Sequence, residues 1–246
     1  MALKSSADVG FLLIGGRSVL GAPLTEIGES RERLLEQVDG LGDTVDKWGD
    51  VGVSQFEMTQ SGFYNSGTGS YHEALELANP QVLMYAPVGN AIGDDIVALS
   101  GVRTTYNRLP ARGEFHKAQA TYKAGDGPEE MGKSRISAHH VARTNAGPTD
   151  TASDQWPAAT TVGGAAYLGV SALTLGGYTN LTVKIQHSTD DISFTDLVTF
   201  AAVTSAPTAE RVAIAGTINK YTLTRHEFTG AGSGQTATFA TGIGRS

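Results

Sequence analysis

The 246-residue chain is 40% hydrophobic and 17% charged, carries a formal net charge of −7 and has no cysteine. The missing cysteine excludes a disulfide framework, a thiolate metal site and a thiol nucleophile. The acidic balance argues against tight non-specific nucleic-acid binding, which needs many Lys and Arg to displace counterions.

No apolar run is long enough for a membrane-spanning helix, so no membrane insertion is expected. Lys4 is followed by Ser5, Ser6 and Asp8 rather than by an apolar secretion core, so the chain is expected to be soluble and made in the cytoplasm. With 31 glycines and few strong helix formers, the chain reads as many strands joined by tight turns. Residues 1–150 hold 13 Lys+Arg against 19 Asp+Glu, so most of the net acid lies there.

In chain order, Val9 to Ile14 is a first apolar strand, and Gly15 and Gly16 turn the chain out of it. Neither a full G-x-G-x-x-G nor a G-x-x-x-x-G-K-[ST] follows. From Glu26 to Glu57 there are nine acidic and three basic side chains. Glu29 to Val38 can be written as a short helix. Asp39 to Gly52, with four Gly and four Asp, reads as a long loop, which is uncommon unless it binds something. Trp48 is its natural aromatic anchor. Val53 to Met58 is a strand.

A short helix is expected at Ser70 to Ala78, with Ser70 as cap, Glu73 three residues on and Pro80 ending it. Gln81 to Ala86, Asp95 to Arg103, Glu114 to Lys123 and Arg135 to Ala142 are further strands. In Glu114 to Lys123 neither face is strongly apolar, which suits a strand in an intersubunit sheet. Thr144 to Pro157 is polar, holds two Pro and has no apolar period. The expected division is therefore 1–145, a linker 146–156, and 157–246.

The last part alternates regularly. Tyr167 to Leu175 opens it, and Leu181, Val183 and Ile185 mark one face of the next strand. Residues 187–193 form a turn. Phe194 to Phe200, Arg211 to Ala215, Lys220 to Phe228 and Thr236 to Ile243 complete the series. The fold class is mainly β: an N-terminal β-sandwich or barrel with one short flanking helix, then a C-terminal antiparallel β-sandwich, immunoglobulin-like or jelly-roll-like.

No catalytic, cofactor or metal constellation emerges. His139 and His140 point to opposite sides of a strand, and no His-x-His or His-Glu-x-x-His accompanies them. Asp94 and Asp95 follow a turn and read as solvated charge rather than an acid–base pair. Asp190 and Asp191 lack the spacing of a calcium loop and read as a hairpin turn. No G-x-S-x-G elbow occurs. Trp156 is expected to pack a domain junction, and Tyr178 to sit at a turn rather than on a sugar.

Three stretches carry a resemblance. LGDTVDKWGDVGVSQFEMTQSGFYN (Leu41 to Asn65) resembles a pattern of phage tail tube proteins, an acidic Gly-containing loop before a strand ending in Gly62, Phe63 and Tyr64. VLMYAPVGNAIGDDIVALSGVRTTY (Val82 to Tyr106) resembles their next element, and VKIQHSTDDISFTDLVTF (Val183 to Phe200) resembles an accessory β-domain of phage virion proteins.

The resemblance to the major tail proteins of long-tailed phages implies a non-enzymatic virion protein. It implies hexameric rings stacked into a tube for DNA, with tail terminator, tape measure and tail-tip proteins as partners, and the C-terminal domain outward and available to host-surface glycans. Asp39, Asp43, Asp46, Trp48, Asp50, Phe63 and Tyr64 are then candidates for the inter-ring contact. Asp94, Asp95, Asp126, Glu129 and Glu130 are candidate lumen-facing acids. A head decoration or head-to-tail joining protein is an alternative, and a carbohydrate-binding adhesion module another.

Overall fold

A computed structural model describes residues 9–19, 24–37, 48–64, 71–78, 80–109, 115–125 and 134–245. The elements in order are β1 (Phe11–Ile14), β2 (Arg17–Ser18), β3 (Leu24–Gln37), β4 (Trp48–Phe63), α1 (Tyr71–Leu75), β5 (Gln81–Ala86), β6 (Asp95–Leu109), β7 (Lys117–Ala124) and β8 (Ser134–Arg143). Next come β9 (Thr149–Asp150), β10 (Asp154–Gln155), β11 (Gly164–Thr174), β12 (Asn180–Ser188), β13 (Thr195–Thr199), β14 (Thr208–Ile214), β15 (Tyr221–Thr229) and β16 (Thr236–Arg245). The protein is mainly β with one short helix, and no described helix is long and apolar enough to cross a membrane.

The strands make three layers. The first runs β3-β4-β7-β6-β5-β1-β2, antiparallel throughout. The second runs β14-β11-β16-β8 and joins the first through two residue pairs, Asp95 with Arg135 and Ile96 with Ser134. The third runs β10-β15-β12-β13, with β9 also on β15.

Burial explains why some strands read as continuous apolar runs. β1 is covered on both sides: Leu12 and Ile14 enter one core with Leu83, Leu99 and Tyr122, while Phe11 and Leu13 enter another with Met84, Tyr167 and Ala240. A strand buried on both faces has no polar alternation to show. β11 and β16 are likewise enclosed, with Leu168, Val170 and Phe239 facing the third layer. Small residues let these layers close: a Cβ on Gly169 would lie 2.8 Å from Leu13 Cδ1.

Several expectations change. Residues 29–37 form strand, not helix, because β3 pairs with β4 from Leu24–Gly62 to Gln37–Trp48. Trp48 to Gly52, expected as loop, opens β4. β7 lies inside the first layer between β4 and β6, with Ala118, Ala120 and Tyr122 fully buried, so its small residues serve this chain's own core. Residues 146–156, expected as a linker, contain β9 and β10, both paired with β15, and the buried Trp156. By pairing, β8 sides with the C-terminal strands, since β16 runs along it from Ala237 beside Arg143 to Gly244 beside Ser134, with two bulges.

Candidate functional site

Two strands of the first layer alternate in register. On β4, Phe56, Met58 and Gln60 are buried while Glu57, Thr59 and Ser61 face outward; on β7, Ala118, Ala120 and Tyr122 are buried while Lys117, Gln119, Thr121 and Lys123 face outward. Pairing aligns these outward residues into rows: Ser61 beside Gln119, Thr59 beside Thr121, Glu57 beside Lys123. β3 extends the rows with Glu26, Gly28, Ser30 and Glu32, and β6 with Val102, Thr105, Asn107 and Leu109. The result is a four-stranded face of hydroxyl and amide groups that also carries three glutamates and two lysines.

Its neighbours hold one another. Thr59 Oγ1 and Thr121 Oγ1 lie 3.3 Å apart, Thr104 Oγ1 donates to Thr121 O at 3.2 Å, and Thr25 Oγ1 donates to Ser61 O at 3.1 Å. Lys123 Nζ lies 3.7 Å from Glu57 Oε2. On the same side of the sheet, β6 is covered at Ile96 and Ala98 by the second layer, but Val102 and the residues beyond it are uncovered. The cover ends where β6 leaves β8 and joins β7.

The other side of this sheet is anchored by α1. Glu76 accepts from Arg108 at 2.7 Å, and Arg17 donates to Glu73 at 2.8 Å. Arg103 donates to Leu75 O, and His72 bonds the Tyr106 hydroxyl through Nδ1. These contacts tie α1 to β2 and β6.

A second feature is the ribbon. β7 accompanies β4 only from Glu57 to Phe63, yet β3 and β4 stay paired out to Gln37 and Trp48. Beyond Glu32 and Gln55 the hairpin has no third strand among the described residues, and it projects about 20 Å at strand rise. A two-stranded ribbon is marginal in water by itself.

The candidate residues fall as follows. Trp48 and Asp50 lie at the start of β4, in the ribbon. Phe63 faces outward at the far end of β4, whereas Tyr64 packs its ring 4.9 Å from His72 and under Arg108. Asp94 Oδ2 accepts Ala91 N at 2.8 Å in the turn before β6, and the exposed Asp95 lies 3.9 Å from Arg135, both at the end of β6 remote from the polar face. Asp39, Asp43, Asp46, Asp126, Glu129 and Glu130 lie outside the described residues.

Among the described residues no group of three or more His, Asp or Glu is placed to hold a metal. His140 bonds Ser171 Oγ at 2.8 Å. Asp190 Oδ1 accepts Ile192 N and Ser193 N, both at 3.0 Å, and Ser188 Oγ at 2.7 Å, a turn geometry that holds its carboxyl down at about 2. Tyr178 lays its ring 5.7 Å from Phe228, against the core rather than free for stacking. A cleft of about 320 Å³ beside β14, lined by Leu168, Val203, Ser205, Thr208 and Glu210 among others, has no aromatic wall. The polar face was missed in the sequence because its outward residues come from four strands whose pairing no single segment reveals.

No family model matches the sequence, and no curated protein matches it. Among solved structures, a chain from the virion of a native gene transfer agent particle aligns at 8% identity and a TM-score of 0.40, over 51% of this chain and 96% of that one. The Dit hub protein of phage SPP1 aligns at 12% identity and a TM-score of 0.32, over 94% and 98%. A chain of infectious bursal disease virus aligns at 14% identity and 0.28, over 95% of this chain and 55% of that one. Scores this low do not establish a shared fold.

Proposed function

We propose that this chain is a structural virion protein that assembles into stacked rings, hexameric in the simplest case, forming a phage tail tube through which DNA passes. The observation that carries the reading is the uncovered polar face of β3, β4, β7 and β6. A wet channel wall needs a long sheet face with solvated hydroxyl and amide groups and few cations to trap phosphate. This face has two lysines, and one of them is paired with Glu57.

The sheet edge and the ribbon support the same reading. β3 pairs only with β4 among the described strands, leaving a 14-residue edge. Closing a ring of such sheets pairs every edge with a neighbour, and the ribbon gains on an adjoining ring the cover it lacks. In this assembly residues 157–246 lie outward, and tail terminator, tape measure and tail-tip proteins are its partners. The protein acts without catalysis, in the virion, after assembly in the host cytoplasm.

Negative-stain electron microscopy of the purified chain over a concentration series tests the proposal. Tubes or stacked rings with a central hole are the expected result. Closed shells, or discrete particles with no axial channel, would instead favour the head decoration or joining reading.

A further inference from the structure

The second and third layers, packed face to face, leave two seams along their sides. β8 lies against β15 at one seam, and β14 lies against β13 at the other. The chain closes the first seam itself. There β9 and β10 pair along β15, and Trp156 enters the core, donating from Nε1 to Thr222 Oγ1 at 3.2 Å. The guanidinium carbons of Arg135 and Arg245 lie 4.8 and 4.0 Å from its ring centroid. An extended segment on a strand edge, with one side chain plugged inward, is how this fold seals a seam.

The second seam has no such cover among the described residues, where β13 pairs only with β12 and β14 only with β11. Gly16 abuts the start of β14, since a Cβ there would lie 2.1 Å from Thr208 O, so the edge without a second strand runs from Ala209 to Ile214. Pairing with Val170 and Leu168 turns Thr208 and Glu210 toward the third layer, in one row with Val212 and Ile214. Val212 and Ile214 pack on the core, whereas the polar end of the row opens as the cleft of about 320 Å³, whose far wall is residues 201–205. Glu210 is the sole charged residue among those lining it, and its Oε2 accepts Ala201 N at 2.8 Å, which fixes the carboxylate there.

This chemistry narrows the occupant. A second copy of β14 is disfavoured, because the fullest antiparallel register sets Arg211 against its own copy, and like charges directly opposite repel. A strand edge takes an extended backbone, with side chains entering pockets beside it. Leu168 next to a lone carboxylate suits a side chain with an aliphatic stem and a cationic head.

We propose that the β14 edge and its cleft bind an extended segment of another polypeptide by strand addition, with a Lys or Arg side chain of that segment running over Leu168 to Glu210. The site lies within residues 157–246 and does not depend on the tube reading.

Panning a displayed heptapeptide library against the purified full-length chain tests the site, with the central position fixed as Lys in one half and Glu in the other. The expected result is enrichment of the Lys-centred half. A synthetic peptide of the enriched sequence should slow hydrogen–deuterium exchange across residues 201–214. E210Q keeps an acceptor for Ala201 N and so retains the fold, yet it should weaken that peptide by about tenfold or more, the loss of a charge-assisted bond. E227Q, on β15, should leave binding unchanged. No enriched peptide, equal enrichment of the Glu-centred half, protection confined to other residues, or full binding by E210Q would each overturn the proposal.

Discussion

Asn90 brackets the backbone of His140: its Oδ1 accepts the His140 N–H at 2.9 Å and its Nδ2 donates to the His140 carbonyl at 3.1 Å. The amide acts as a one-residue strand beside the bulge in β8, where Val141 and Ala138 pair with Phe239 and Thr241 and the residues between are displaced. Bulges leave backbone groups without ladder partners, and here a side chain supplies them.

N90A should therefore destabilise the fold by about 1–3 kcal/mol, the usual cost of stranding buried polar groups. N90D keeps the acceptor and loses the donor, so it should fall between N90A and the wild type. Urea unfolding midpoints at neutral pH check the order; an N90A midpoint equal to wild type would remove the bracket from the list of stabilising contacts.

His226 gives a pH prediction. It is buried on β15, with its ring 5.4 Å from Phe239 of β16. Burial, and then the nearby Arg143 guanidinium, push its pKa down from 6.5 to about 4, with Asp150 and the Thr149 backbone acting the other way. The unfolded chain thus binds a proton that the folded chain refuses. Stability is fully present above pH 6.5 and is lost as pH falls toward 4, by up to roughly 3 kcal/mol. Denaturant titrations at several pH values between 7 and 4 should show that slope, and H226F should flatten it relative to wild type. His139, His140 and His187 are shifted the same way, so the difference between the two curves isolates His226.

Gly169 tests the shared interior. Its missing side chain lets β11 approach Leu13 of β1. G169V forces a branched side chain into that contact and should cost about 1–3 kcal/mol by overpacking. Because Phe11, Leu13, Met84, Ala165, Tyr167 and Ala240 form one core cluster, the melting transition should stay single while its midpoint drops. Two separated transitions would mean that the first and second layers unfold independently.

Much of the fold was legible where burial is one-sided or complete. Leu181, Val183 and Ile185 alternate because β12 has one inner face, and Phe11 to Ile14 runs apolar because β1 has two. The inner face of β15 was not legible. It carries Thr222, Thr224 and His226, which sequence patterning assigns to solvent; Thr224 Oγ1 is satisfied inside by Ser137 Oγ at 2.9 Å and Thr241 Oγ1 at 2.6 Å. β7 misled for the converse reason, since Ala118 and Ala120 look weakly apolar until Met58 and Tyr122 fill the space around them. The pairing of β8 with β16 joins segments about a hundred residues apart, and no local pattern announces it. The same holds for the site: Glu57, Thr59 and Ser61 read as an ordinary polar edge until β3, β7 and β6 align their own polar residues beside them.

The polar face itself yields the last prediction. Its outward residues Thr59, Gln119 and Thr121 touch solvent, while the alternate positions make the core. T59K/Q119K/T121K changes only the outward row, so folding and ring formation should survive. If the face lines the channel, three added lysines per copy bring a dense cationic wall to bear on DNA, and each phosphate neutralised releases counterions. Assembled variant tubes should then bind short duplex DNA that wild-type tubes do not, and the binding should weaken steeply as salt rises from 50 to 200 mM, on the order of tenfold or more. The same substitutions on a face turned outward would bind DNA along the tube's exterior, where a DNA-conjugated gold particle too large for the channel still attaches. Decoration by such particles would contradict the channel assignment; DNA uptake without decoration is the result the geometry requires.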